Sequence, residues 1–447
     1  MEQLPRGCRI IEFPESTDDR GALAFAEGAH QIPFQIERVF WIYGVPEGKT
    51  RGGHSHSESA EVVVPVSGAF TMMVDDGTHK AAVRMDSPRK GILIPPGVWC
   101  DLRDFAPATV CVVFASHPYN ASGYINNYSE YLTEQLQIVR YDASRKDEWN
   151  DFVSKSKNGT FLFDRGYMDY HSDRFTDCSL LALRDSKLCA LLPACVDGDT
   201  LYSHRGLTYG GWLVPLKHFD ATVMIEVMDA AVAWMRAHGL KHLVYKSVPH
   251  IYHRYPCEED LYALFRHHAA LTEVNISTTI DLTCPLPLDR GNKSGANAAR
   301  KAGIIVGPSE DWQGYWHLLS SLLDERYSTR PVHTLDEMRL LQGRFPNNIV
   351  LHTATLDGEM LAGVVMYLSQ PVAHCQYIGA SPAGKDSKAL TLLFDHLISE
   401  YKAQGYRYFD FGISNEDHGR YLNEGLVRQK SRLGGRGIVY NAYQIDL

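Results

Sequence analysis

The stretch Gly48-Lys-Thr-Arg-Gly-Gly-His54-Ser-His56-Ser-Glu-Ser-Ala-Glu61, running on to Gly68, decides how the first third of the chain is read. Side chains alternate between the two faces of a strand, so His54 and His56 share one face. Glu61 follows closely enough to join them. Glycines at both ends permit the tight turns that bring a strand into and out of a small barrel. The pattern predicts two imidazoles inside a β-barrel, where they hold a metal or move protons.

The surrounding sequence agrees with a barrel. Short apolar runs recur at Arg38-Val-Phe-Trp-Ile-Tyr43, Glu61-Val-Val-Val-Pro-Val66, Ala69-Phe-Thr-Met-Met-Val74, Gly91-Ile-Leu-Ile94 and Thr109-Val-Cys-Val-Val-Phe114. Pro46-Glu-Gly48, Asp75-Asp-Gly77 and Pro95-Pro-Gly97 separate them as turns. Many short strands at this spacing predict an all-β barrel or sandwich over residues 1–134.

Past about residue 135 the chain becomes mixed α/β. Met224 to Met235 is apolar at helical spacing and stops at His238-Gly239; Lys241-His-Leu-Val-Tyr245 then reads as a strand. The same order returns at Ala389–Lys402, Gly405 and Tyr406–Phe411. Two copies of one α/β unit are expected, over 135–288 and 289–447.

Composition bounds the function. The 447 residues suffice for two or three domains, and 45% hydrophobic residues suffice for real cores. A net charge of −9 argues against a nucleic-acid-binding surface. The nine cysteines are scattered with no C-x-x-C pair, which reads as reduced thiols rather than a disulfide frame or zinc ribbon. No charged leader precedes an apolar run and no membrane-length apolar stretch is present, so a cytoplasmic location without membrane contact is expected.

The paired histidines admit three readings. As a bland pair they fill a core or a surface. As ligands they need a third and fourth partner; Glu61 offers one, and Cys100, after the turn at Pro95-Pro-Gly97, another. As proton carriers they need only a pKa near neutrality. A keto sugar isomerises by losing the proton beside its carbonyl, and the enediol is reprotonated on the neighbouring carbon. Tyr43 and Arg51 lie just before the histidines and are expected to stabilise the enediolate oxygen; Arg51 also suits a substrate phosphate.

Residues 8–133 resemble the nucleotide-sugar 3,4-ketoisomerases, cupin enzymes acting on dTDP-4-keto-6-deoxyglucose. The resemblance rests on Arg38–Gly48, Arg51-Gly-Gly-His54-Ser-His56, Val66-Ser-Gly68, Asp75-Asp-Gly77, Ile94–Trp99, Asp104-Phe105 and Ala115-Ser116 with Tyr119 and Tyr124-Ile125. It implies a jelly-roll cupin barrel, acid/base roles for His54 and His56, no metal, substrate contacts at Glu61 and Trp99, and a homodimer through this domain. Glu61 departs from the glutamine expected there, which leaves a metal site more open.

In the α/β part, Leu201-Tyr-Ser-His204-Arg-Gly-Leu-Thr-Tyr209-Gly-Gly211 combines polar side chains with a flexible turn, so His204 and Tyr209 are expected to face substrate or to belong to a plain hairpin. Gly379–Lys388 joins a strand to a helix; Gly384, Lys385 and Lys388 are expected to hold a pyrophosphate there. Phe409-Asp410-Phe-Gly412, Glu416 and Lys430 suggest a substrate-facing turn, with Asp410 either reactive or a brace. His374 and Tyr377, three apart, face opposite sides of a strand unless a bulge intervenes.

This half resembles the GNAT acyltransferases, especially the tandem arrangement of the Fem peptidyltransferases. The residues that carry it are Phe409-Asp-Phe-Gly412, Gly425-Leu426 through Lys430, Gly434 and Tyr440-Asn-Ala-Tyr443, with His333 in Pro331–Glu337. It implies an acyl transfer whose donor is aminoacyl-tRNA in the Fem enzymes and acyl-CoA in most GNAT enzymes. The acidic overall charge and the small-molecule partner domain favour acetyl-CoA here, with a neutral amine attacking the thioester and His374 or Asp410 expected near the amine. The two resemblances together imply a bifunctional enzyme acting on dTDP-linked keto- and amino-deoxysugars. The alternative is a catalytically silent sugar-nucleotide-binding cupin joined to an aminoacyl-tRNA-dependent transferase.

Overall fold

The computed structural model describes residues 4–77, 79–128, 130–131, 136–184, 186–327 and 329–447, with the side chains of Arg326 and Tyr327 left aside. The expected boundary between residues 134 and 135 lies outside the described residues. The chain divides into two compact units: Met1–Gln137 with Arg184–Lys187, and Ile138–Leu183 with Leu188–Leu447. No helix among the described residues is long and apolar enough to cross a membrane.

The first unit is built on two five-stranded antiparallel sheets, with a small hairpin of Glu15–Asp18 and Gly21–Ala24 beside them. One runs in the order Arg9–Glu12, Lys90–Ile94, Glu61–Ser67, Val110–Ala115, Arg38–Tyr43. The other runs Tyr124–Ile125, Arg51–His56, Trp99–Arg103, Phe70–Asp75, Lys80–Met85. Phe70, Met72, Val74, Ile92, Cys100, Leu102, Cys111 and Val113 form one buried cluster. Val62–Pro65 within Glu61–Ser67 is apolar and buried throughout for a reason. Val63 joins that cluster, while Val62 and Val64 are covered on the other face by Phe13, Ile32 and Leu93, so the strand is buried on both sides. Gly68 closes the motif at a φ of +71°, and a Cβ there would lie 2.3 Å from Thr109 Oγ1. Backbone conformation and space both demand glycine at that point.

The second unit is built on one sheet of eleven strands. The expected helices form at Ala221–Ala237 and Ala389–Ala403, and the strands at His242–Lys246 and Tyr408–Ile413. Asp220 caps the first helix by accepting the amides of Thr222 and Val223. The last strand, Arg436–Asp446, lies between His242–Lys246 and Ala270–Asp281 and pairs antiparallel with both. The end of the chain thus completes the sheet of the earlier α/β segment, and the sheet runs without a break across the expected division near residue 289.

Two departures from the sequence reading shape the site. The strand Val372–Ala380 pairs parallel with Tyr408–Ile413 only through Val372–His374 and Tyr408–Asp410; there the parallel ladder stops. Its register with Glu359–Ser369 also shifts, Val365 pairing with Tyr377 but Met366 with Cys375, so Gln376 is a bulge. The bulge turns Tyr377 to the face that carries Val372, and both pack in one cluster with Tyr315 and Trp316. In the other departure, the segment after Ala380 does not run straight into the long helix. A short helix, Pro382–Asp386, intervenes, and Lys388 takes a left-handed conformation before Ala389.

Candidate active sites

In the first unit, strand Arg51–His56 places His54 and His56 side by side, ring centroids 4.7 Å apart. Tyr124, on the neighbouring strand, meets both rings edge-on at 4.9 and 4.3 Å. Glu61 begins the central strand of the other sheet and is buried. Its Oε1 lies 3.1 Å from His56 Nε2, off the hydrogen-bonding direction, and 3.1 Å from the Arg38 guanidinium, which donates to it. Arg38 also donates to the Tyr124 hydroxyl at 3.3 Å. Burial and the neighbouring His56 lower the His54 pKa, outweighing Glu61, so His54 is neutral at pH 7 and able to take a proton.

The donor set bears on a metal. The reachable atoms of His54, His56 and Glu61 lie within 4.8 Å of one another. Arg38, however, already sets a cation against the Glu61 oxygen that faces His56. A metal ion there would meet that charge at short range. Cys100 pairs in register with His54 but faces the buried core, and burial, then Glu61, push its thiol well up. A protonated buried thiol is a poor ligand.

Other sequence expectations are corrected here. Tyr43 belongs with Val39 and Trp41 on the exposed face of its strand, opposite Arg38, Phe40 and Ile42, because side chains alternate. It points away from the histidines. Arg51 is exposed at the start of its strand, before the irregularity at Gly52-Gly53. The positions expected of Tyr43 and Arg51 are instead held by Tyr124 and Arg38, which reach the histidine face from other strands. Trp99 lies half-buried against Tyr128 and Tyr131.

In the second unit, the gap where Val372–Ala380 and Tyr408–Ile413 part opens into a cavity of about 760 Å³. Cys375, Gln376 and Ile378 to Ala380 supply one wall, Phe411 to Ile413 another, with Lys385 and Lys430 among the polar lining and Leu319, Leu322 and Phe394 among the apolar. His374 lines this cavity and a small annex formed with Phe161, Tyr209, Tyr252 and Gln376. Its Nδ1 is 2.7 Å from Asp410 Oδ2.

Asp410 is fully buried and saturated. Its Oδ1 accepts from Ser277 and Thr279 at 2.5 and 2.6 Å; its Oδ2 accepts from His374 and, at 2.8 Å, from Tyr440. Burial pushes its pKa up, but these donors outweigh it and hold the carboxyl below the usual range. An ionised Asp410 fixes the His374 proton on Nδ1 and leaves the Nε2 lone pair for a substrate proton. His374 and Asp410, expected as alternatives, are one pair.

Lys430 lines the cavity, but all three ammonium protons are used, on Gly412 O, Ile413 O and Ser414 Oγ at 2.8, 2.8 and 2.9 Å. It clamps the turn after the strand rather than offering a free charge. Lys385 reaches the cavity, whereas Lys388 packs its stem against Gly295. Gly384 is demanded by space, since a Cβ would lie 2.0 Å from Leu361 O. His204 is buried, stacked on His171 at 5.0 Å; burial, then His171, lowers its pKa to about 3. Glu416 is exposed on a two-residue strand. These placements give His204 and Glu416 structural or surface surroundings. Tyr440, Ser277 and Thr279 were not expected at the site. They come from strands far apart in sequence, and the only hint was the Tyr440–Tyr443 segment.

The fold and the two sites define a two-module protein, a cupin barrel followed in the chain by a GNAT-type α/β region. Residues 6–136 match the family model described as WxcM-like, C-terminal (FdtA), and residues 295–420 match the acetyltransferase (GNAT) domain. The chain is 33% identical over 123 residues to the TDP-4-oxo-6-deoxy-α-D-glucose-3,4-oxoisomerase of Aneurinibacillus thermoaerophilus, covering 28% of this chain and 88% of that protein. Through this barrel the chain belongs to the nucleotide-sugar 3,4-ketoisomerase family. It is also similar to a sugar 3,4-ketoisomerase from Thermoanaerobacterium thermosaccharolyticum solved with TDP (32% identity, 29% of this chain, 94% of that chain, TM-score 0.28). The α/β region shares the fold of FemX, at 12% identity over 70% of this chain and 97% of that chain, with a TM-score of 0.52.

Proposed function

We propose that the barrel catalyses 3,4-ketoisomerisation of dTDP-4-keto-6-deoxyglucose and that the α/β unit N-acylates a dTDP-3-amino-3,6-dideoxyhexose with acetyl-CoA. The barrel reading is carried by the two histidines on one face with Arg38 and Tyr124 beside them. Neutral His54 takes the proton beside the carbonyl, and an imidazole returns it on the neighbouring carbon. Arg38 and Tyr124 supply the cationic and hydroxyl donors that favour an enediolate oxygen. The Arg38 charge next to Glu61 supports proton transfer over metal chemistry.

The acyltransfer reading is supported by the parted strands. Past His374 and Asp410 the parallel ladder has ended, leaving a slot suited to an extended arm bearing amides, as pantetheine is. Lys385 offers a cation to the phosphates of such a donor. His374 Nε2 receives the ammonium proton as the amine attacks the thioester; the carbon–sulfur bond then breaks, and the thiolate leaves and takes a proton from water while the imidazolium returns its own to solvent. The overall charge of −9 fits a small-molecule donor better than an aminoacyl-tRNA. An aminotransferase would act between the two reactions. The product fits a cytoplasmic supply of acylated amino sugars for surface glycans such as lipopolysaccharide O-antigen. The exposed Val39, Trp41 and Tyr43 suit a homodimer through the barrel.

Chelator-treated protein with dTDP-4-keto-6-deoxyglucose in deuterated water tests the first half. Deuterium uptake and a 3-keto product seen by proton NMR are expected; exchange only after adding metal would move the histidines to ligand roles. Thiol release from acetyl-CoA on adding the 3-amino sugar tests the second. Transfer only from aminoacyl-tRNA would replace the donor.

A further inference from the structure

Away from both sites, on the sheet of the second unit, three side chains converge without a complete set of partners. His352 lies on the strand Ile349–Leu356, and His396 and Glu400 lie on the helix Ala389–Ala403. Residues four apart share a helix face, so His396 and Glu400 project together toward the strand. His396 Nε2 is 3.2 Å from Glu400 Oε2, and His352 Nδ1 is 3.9 Å from the same oxygen. One nitrogen or oxygen from each of the three lies within 4.8 Å of the others.

The second polar atom of each inner residue is already occupied. His352 Nε2 is 3.0 Å from the Tyr401 hydroxyl. Glu400 Oε1 accepts from Gln404 at 3.1 Å. What is left over is one atom of each, His352 Nδ1 and Glu400 Oε2, buried and without a hydrogen-bond partner. His352 is 2% exposed, so water cannot readily satisfy its free nitrogen. An orphan of this kind costs free energy, and an ion pair between His396 and Glu400 alone leaves it orphaned.

We propose that His352 Nδ1, His396 Nε2 and Glu400 Oε2 bind a divalent transition-metal ion of the zinc class. Zinc bonds near 2.0 Å place tetrahedral ligands about 3.3 Å apart, which small side-chain movements reach from the separations present. Two imidazoles favour zinc, cobalt or nickel over magnesium or calcium. The outer partners fit as well. A ligating histidine donates its other N–H to a neighbour, here the Tyr401 oxygen, and a ligating carboxylate is steadied by a donor, here Gln404. The ion staples the helix to the strand. Leu390 and Phe394 on that helix line the acyltransfer cavity, so the staple steadies one of its walls.

The test is Co²⁺ and Zn²⁺ titration of the chelator-treated full chain, read by Co²⁺ visible absorption, bound stoichiometry and melting temperature. His396 is half-exposed, so His396→Ala leaves the fold intact; Glu400→Gln keeps the shape of the side chain. One equivalent of Co²⁺ with tetrahedral-type absorption is expected in the wild type and in His54→Asn. That equivalent and the Zn²⁺-dependent rise in melting temperature should vanish in His396→Ala and Glu400→Gln. Absence of binding in the wild type overturns the proposal. So does binding that survives His396→Ala, or binding lost in His54→Asn, which would place the ion in the barrel.

Discussion

The carboxylate beside His56 and the carboxylate beside His374 are held in different ways. Glu61 Oε1 faces the Arg38 guanidinium, with His56 off the bonding direction. Asp410 is wholly buried and accepts four hydrogen bonds, one of them from His374. In the barrel, a cation already balances the acid, and Glu61 holds no imidazole proton in a hydrogen bond. In the α/β unit, the acid commits its imidazole to one tautomer. An isomerase moves one proton between two carbons and suits the first arrangement; a transferase discards a proton in one direction and suits the second.

The largest effect expected is on the barrel pair. His54→Asn and His56→Asn should each lower deuterium exchange into the keto sugar by roughly 10²–10⁴-fold, the usual worth of an acid/base group, and leave acyl transfer unchanged. Normal exchange in both variants would sink the assignment. His374→Gln should lower acyl transfer by a similar factor, roughly 10²–10⁴-fold, and leave exchange untouched. Measuring both activities on both variants shows whether the sites work independently.

The carboxylates sharpen the contrast. Asp410→Asn should lose acyl transfer nearly as fully as His374→Gln, because it removes the charge that holds the tautomer. Glu61→Gln should keep most of the exchange rate, since Arg38 can still donate to an amide oxygen. A Glu61→Gln variant without exchange would show that the barrel acid works as Asp410 does.

Lys430 gives a smaller effect on stability. Lys430→Met leaves two backbone carbonyls without their donor and should destabilise the fold by about 1–3 kcal/mol in denaturant melts. Burial lowers the folded pKa of this lysine to about 8 from 10.5, so the unfolded chain binds the extra proton between those values. The contribution of Lys430 to stability therefore increases as pH rises from about 8 toward 10.5, and the cost of burying its charge is fully present below 8. The gap between wild type and Lys430→Met should widen over that window; a gap that narrows would refute the account. The smallest effect concerns pH and exchange. Protonation disables His54 as a base, and its pKa is lowered, so the acid limb of the exchange profile should fall below the ordinary histidine value of 6.5.

Much of the barrel was legible from local signals. The alternation, the turns and the glycines around His54 and His56 each depend on neighbours a few residues away. Arg38 and Tyr124 were inside quoted segments, yet nothing local said that they reach the histidines rather than Tyr43 and Arg51. Strand parity decides that for Tyr43, and parity is fixed by which face the sheet buries. In the α/β unit the helices and strands were legible, but the bulge at Gln376 was not. That one extra residue puts His374 and Tyr377 on the same face.

By itself, the sequence determined the two-module order, the barrel with its paired histidines, and an acyltransferase-type second part. The order and the barrel follow from periodicity, turn chemistry and motif spacing, which act over short stretches of chain; the acyltransferase reading follows from the resemblance of segments such as Phe409–Gly412 and Tyr440–Tyr443 to that family. Only the tertiary structure decided which charge meets which carboxylate. Asp410 draws its donors from Ser277, Thr279, His374 and Tyr440, on three different strands, and Lys430 spends its charge on a turn sixteen or more residues away. Such pairings are set by sheet order and register, and those emerge only when distant segments compete to bury the same apolar surface.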